Sequence, residues 1–113
     1  MKSFKFAFEG LKTEFKKGRN FRIQIACGFL VIILGLILKL ETFEWLSLIL
    51  IITLVLILEL VNTSLEAIVD LVSPEIHPKA KIAKDVAAGA VLVAAVASVV
   101  IGAVIFLPKL LSL

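Results

Sequence analysis

The sequence predicts an all-α membrane protein: three transmembrane helices plus an N-terminal amphipathic surface helix. Three observations carry that reading. The 113 residues are 61% hydrophobic, with a mean hydropathy of +1.14, where a soluble domain is ~45–50% apolar. Three stretches, residues 23–38, 45–58 and 86–107, contain no charged side chain. Ahead of them the chain is basic, with Lys2, Lys5, Lys12, Lys16, Lys17, Arg19 and Arg22 against only Glu9 and Glu14. At this length a single membrane domain, residues 1–113, is expected.

Residues 3–17 form the surface helix. Phe4, Phe8, Leu11 and Phe15 recur at i, i+4, i+7 and i+11, while Lys5, Glu9, Lys12 and Lys16 take the other side. Aromatics opposite lysines suit a helix lying among lipid headgroups. A basic segment can also meet nucleic acid, but beside a membrane span it faces anionic lipid more simply. Packing of the same aromatic face on protein is the alternative. Gly18 is expected to break or bend this helix.

Span one is residues 23–38, flanked by Arg22 and Lys39, whose long stems let their charges reach the interface. Cys27 is the sole cysteine, so no disulfide forms within the chain, and its place in an apolar run reads as a small packed residue. No A-x-A-like cleavage site follows, so the chain from Met1 onward is expected to be retained. Residues 39–44, K-L-E-T-F-E, form a short polar turn that makes spans one and two an antiparallel hairpin. Trp45 marks the interface at its end.

Span two and its extension cover residues 45–70. Crossing takes about 20 residues, which places Glu59 roughly 7–8 Å inside the far boundary and Glu66 at it. A polar loop at residues 71–82 holds Pro74 and Pro78, and span three follows at residues 83–107. This span is rich in alanine and glycine, which lets helices approach closely, within the chain or between copies. Lys and Arg number seven before span one, one in the 39–44 turn, three in residues 71–85 and one in the tail. That asymmetry puts the N-terminus and the 71–85 loop in the cytoplasm.

The chemistry concentrates in residues 59–70, E-L-V-N-T-S-L-E-A-I-V-D. Helical spacing places Glu59, Asn62, Thr63, Glu66 and Asp70 on one face at the cytoplasmic edge of the membrane. An acid near a bilayer centre costs roughly 2.5–3.5 kcal/mol, so acids on so apolar a segment invite a functional explanation. Carboxylates and an amide are hard oxygen ligands that suit Mg²⁺, which takes one or two carboxylates together with phosphate oxygens. Glu59, the deepest, suits a general base that takes a proton from an alcohol. Lys84, beside Asp85 across the loop, can hold a phosphate. The pattern suggests metal-assisted chemistry on a lipid headgroup. The rival reading is a non-catalytic bundle whose polar face serves assembly through interhelical hydrogen bonds. No G-x-x-x-x-G-K-[ST] loop and no Gly-rich kinase loop is present, so spacing alone does not establish nucleotide binding.

Residues 59–70 resemble the bacterial diacylglycerol kinase family of small integral-membrane lipid kinases, which includes the undecaprenol kinases. F-A-F-E-G-L-K near the start, N-F-R before span one, E-I-H in the loop and A-K-D opening span three extend the resemblance over nearly the whole chain. It implies a homotrimeric bundle in the bacterial inner membrane, with sites that use helices of neighbouring subunits. The implied reaction is direct transfer of the ATP γ-phosphate to a lipid hydroxyl, with Mg²⁺. On this resemblance Glu59 matches the general base, supported by Asn62, and Glu66 matches a metal ligand. Lys84 and Asp85 match residues that contact the nucleotide, with Glu75 and His77 in the loop that meets its base. The N-F-R-I segment looks more like the undecaprenol-phosphorylating branch than the diacylglycerol one. One departure stands out: the family commonly has a second metal-binding glutamate where this chain has Gly18. Glu14, one turn earlier, is a candidate to substitute; weaker metal binding, a rearranged region or a diverged family member are the alternatives.

Overall fold

The computed structural model describes residues 2–113 and contains four helices: α1 (Lys2–Lys17), α2 (Arg19–Leu38), α3 (Thr42–Val72) and α4 (Pro78–Leu111). The last three are long and apolar enough to cross a membrane, and α1 is the additional N-terminal helix. Helices α3 and α4 span roughly 46 and 51 Å from the rise per residue, well beyond a hydrocarbon core of ~30 Å. Hydropathy marks the part of a helix that needs lipid, whereas hydrogen-bonded caps decide where the helix starts. Thus α3 begins at Thr42 because Glu41 and Glu44 form a reciprocal capping box. Similarly, α4 begins at Pro78, whose missing N–H costs nothing at a helix start, behind His77 as its cap.

The turn between α2 and α3 is only three residues, and its geometry follows from one glycine. Lys39 takes the left-handed conformation (φ 55°), and its N–H donates to the Gly35 carbonyl, closing α2. Leu40 N–H donates to the same carbonyl at 3.3 Å. The returning chain brings Trp45 and Leu40 down onto Gly35, where a Cβ would stand 2.8 Å from Trp45 Cη2 and 2.9 Å from Leu40 Cδ1. Leu40, Leu48, Ile105 and Phe106 form the core cluster above this turn, with Trp45, Leu34 and Ile101 packed on it. Lys109 closes the same end by pairing with Glu44 at 3.1 Å, tying the end of α4 to the start of α3.

Cys27, read from the sequence as a small packed residue, is instead exposed on α2, whose outward face it shares with apolar neighbours. Only eight apolar residues among those described are buried. That core is too small to hold a water-soluble chain of this length, and α2, α3 and α4 accordingly present apolar faces outward along most of their length. Within lipid there is no hydrophobic drive between helices, so their association rests on close packing. The main seam lies between α3 and α4, as the small residues of α4 anticipate, with Ala94 buried in it. On α1, Phe4, Phe6, Phe8 and Phe15 are all exposed. The helix keeps its aromatic face free of the rest of the fold.

The packing at Gly35 gives a direct test. Gly35→Ala forces the Trp45 ring off its seat, and we expect a loss of about 1–3 kcal/mol, the usual cost of overpacking. Unfolding by SDS titration in mixed micelles, followed by Trp45 fluorescence, measures it; an unchanged midpoint contradicts the packing described.

Candidate functional site

The site grows out of the buried stripe of α3. Leu48, Ile51 and Val55 follow one another along the face that packs on the other helices, and the next buried position is Glu59. A carboxylate therefore stands where the pattern calls for an apolar side chain, and it is only 6% exposed. Continuing one and two turns along the same face come Asn62 and Glu66. Asn62 Nδ2 donates to Glu66 Oε1 at 3.1 Å, which fixes both side chains. The other end of the amide, Asn62 Oδ1, is buried without a partner.

The facing wall comes from the junction of α1 and α2. Gly18 ends α1 in an extended conformation (φ −87°, ψ 96°), and its N–H donates to the Glu14 carbonyl at 2.6 Å. Arg22 reaches back from α2, and its Nη1 donates to the carbonyls of Phe15 and Lys16 at 2.8 Å each. These bonds satisfy carbonyls that a helix end leaves open and fix the angle between the helices. The result presses Glu14 inward: it is the one buried residue of α1, also at 6% exposure. Glu14, Gly18 and Asn20 then line one cleft with Glu59, Asn62 and Glu66, with Lys17 and Arg19 also in its wall.

A second cleft lies where α3 hands over to α4. Asp70, Ser73, Glu75, His77, Lys84 and Asp85 are among its lining residues. Lys84 pairs with Asp70 across the loop, and Lys81 pairs with Asp85 along α4. His77 Nδ1 accepts from Lys79 N–H at 3.1 Å, and Ser73 Oγ donates to the Glu75 carbonyl at 3.0 Å. The loop is thus held from within, while His77 itself stays exposed.

The structure accordingly divides the residues that the sequence singled out. Glu59, Asn62 and Glu66 meet in the first cleft; Glu75, His77, Lys84 and Asp85 meet in the second. Asp70 shares the helix face of Glu59, but its partner is Lys84 on α4. Asn20, Lys17 and Arg19 join the first cleft without having been anticipated. The burial of Glu14 did have a signal. At 100° per residue it sits about 170° from the centre of the Lys5–Glu9–Lys12–Lys16 face and about 90° from the aromatic stripe, an odd place for a solvated acid.

Among the described residues no three His, Cys, Asp or Glu groups stand close enough to hold a metal ion by themselves. The first cleft nonetheless gathers hard oxygen ligands, one of them an orphaned amide oxygen, beside Lys17 and Arg19. That set fits a cation such as Mg²⁺, which completes its shell with waters and phosphate oxygens.

The Lys84–Asp70 pair is largely exposed, at 40% and 63% for the two side chains. Asp70→Asn and Lys84→Met should each shift the SDS unfolding free energy by less than about 1 kcal/mol, as for other exposed ion pairs. A larger loss would mean that the pair holds the fold together.

The sequence matches known proteins over nearly its whole length. A family model described as prokaryotic diacylglycerol kinase matches residues 5–106. The chain is 50% identical over 112 residues to a diacylglycerol kinase of Synechocystis, covering 98% of this chain and 64% of that protein. It is 46% identical over 109 residues to the undecaprenol kinase of Bacillus subtilis, covering 96% and 89% of the two chains. With the diacylglycerol kinase of Escherichia coli the identity is 28% over 100 residues.

Proposed function

The chain belongs to the prokaryotic diacylglycerol kinase family, and from that premise we propose that it is a Mg²⁺-dependent lipid kinase. It transfers the γ-phosphate of ATP directly to the hydroxyl of a membrane lipid alcohol. The observation that carries this reading is Glu59, a carboxylate buried in the apolar stripe of a spanning helix beside an amide with a free acceptor oxygen. A bundle held together by its polar residues would satisfy them internally; here the deepest acid has no hydrogen bond or ion pair among the described residues. As the acceptor we propose undecaprenol ahead of diacylglycerol. The N-F-R-I segment supports this, and an undecaprenol kinase is among its similar relatives, at 46% identity.

Each group then has a task. Glu59 takes the proton of the lipid hydroxyl; its depth puts it where a headgroup alcohol meets its hydrocarbon chain. Asn62 holds Glu66 in place through its amide hydrogen bond. Glu66 is a ligand for Mg²⁺, which when bound neutralises charge on the phosphate oxygens. Lys84 and Asp85, in the adjoining cleft with Glu75 and His77, contact the nucleotide. Phosphoryl transfer asks little covalent chemistry of the protein, so alignment of the two substrates and neutralisation of charge supply most of the rate. The exposed aromatic face of α1 lies on the cytoplasmic membrane surface, and three copies assemble with the α4 small-residue faces available for packing. The Cβ positions of Gly89 and Gly102 are open and leave room for such an approach.

The test is transfer of label from [γ-³²P]ATP to undecaprenol and to diacylglycerol, side by side, in mixed micelles. Wild type should label undecaprenol faster, and Glu59→Gln should lose about 100-fold or more of that rate, in the range for removal of a general base, with unchanged folding. Faster labelling of diacylglycerol reassigns the acceptor. No label on any lipid alcohol overturns the kinase reading.

A further inference from the structure

We propose that Glu14 is a metal ligand of this site, supplied by the surface helix and made possible by the absence of a side chain at Gly18. The inference rests on the lipid-kinase reading above, but its grounds are separate.

Glu14 and Glu59 line the same cleft, each 6% exposed, and neither makes a hydrogen bond or ion pair among the described residues. Each carboxylate thus stands in the cleft with no counter-charge paired to it. Lys17 and Arg19 line the cleft but pair with neither acid. Beside the two acids Asn62 Oδ1 is buried and unpartnered, a third oxygen acceptor with no donor. Lys17 and Arg19 reach the same cleft, yet these oxygens remain unpaired and open to a cation. A divalent ion held by Glu14 and by Glu66, which Asn62 fixes, leaves Glu59 free as the base, and the ion's remaining positions go to phosphate oxygens and water.

Gly18 explains how an acid at position 14 reaches the cleft. A Cβ on Gly18 would collide with the Glu14 carboxylate and would stand 2.8 Å from the Glu14 carbonyl. The Glu14 side chain thus folds into the space that any side chain at position 18 would take. A carboxylate from position 14 requires a bare position 18, and because the carbonyl of residue 14 would stand 2.8 Å from a Cβ there, any side chain at 18 must also move the end of α1. Gly18→Glu alone, with Glu14 in place, should therefore weaken the site rather than add a ligand.

The experiment is Mn²⁺ binding, read by electron paramagnetic resonance on the detergent-purified protein with a saturating non-hydrolysable ATP analogue. Wild type should bind Mn²⁺, and Glu14→Gln should weaken that binding by about tenfold or more, the scale on which metal sites respond to lost support. Glu9→Gln, an exposed acid on the same helix, should leave it unchanged. Glu14→Asp, which keeps the carboxylate, should bind more tightly than Glu14→Gln, which keeps the shape, and a merely structural role for Glu14 would not produce that order. If Mn²⁺ affinity is lost in Glu66→Gln but unaltered in Glu14→Gln, Glu14 is not a ligand and the kinase reading stands. If wild type neither binds Mn²⁺ nor phosphorylates any lipid, both readings fall together.

Discussion

Glu59 continues the register of Leu48, Ile51 and Val55, so the contacts that pack α3 also bury its carboxylate. Most features of this end of the molecule follow from that placement. A carboxylate cannot be left in a packed apolar seam without something to receive it, and the cations that line the cleft, Lys17 and Arg19, pair with neither of its buried acids. Asn62 turns its amide nitrogen to Glu66, leaving its oxygen bare. The break at Gly18 and the Arg22 clasp on α1 bring a second acid, Glu14, to the same wall. The polar and apolar halves of the site are built by one helix face that changes character within a turn.

The opposite end of the bundle is fixed by different means. Gly35 admits Trp45, the Glu41–Glu44 capping box starts α3, and Lys109 joins Glu44 across to α4. That end needs rigidity alone. The acid-bearing end is open, its loop held by short-range bonds at Ser73 and His77 and by exposed ion pairs at Lys81 and Lys84. Exposed pairs contribute little to stability, which leaves the second cleft free to rearrange without unfolding the spans.

The class of fold was legible because bilayers impose a simple code: long uncharged runs, a basic flank and a polar turn leave few alternatives. The helix ends were less so, since Glu41 and His77 set them through hydrogen bonds that hydropathy does not register. The face carrying Glu59, Asn62 and Glu66 was readable from period alone. Its division from Glu75, His77, Lys84 and Asp85 was not, because which neighbour Asp70 meets depends on the path of the 73–77 loop. Glu14 is the instructive case. Its angular position set it apart from the lysine face, yet its burial depends on the bend at Gly18, a tertiary feature that no local pattern carries.

The convergence of Glu14 on Glu59 within one chain is the claim on which the site depends. Cysteines at positions 14 and 59, in a Cys27→Ala background, test it in native membranes with a short thiol-bridging reagent. Efficient cross-linking in a band that still migrates as a monomer, with the bridged peptide identified by mass spectrometry, is the predicted result. A pair at positions 9 and 59 should not cross-link. Failure of the 14–59 bridge, or its appearance only between chains, would contradict the arrangement.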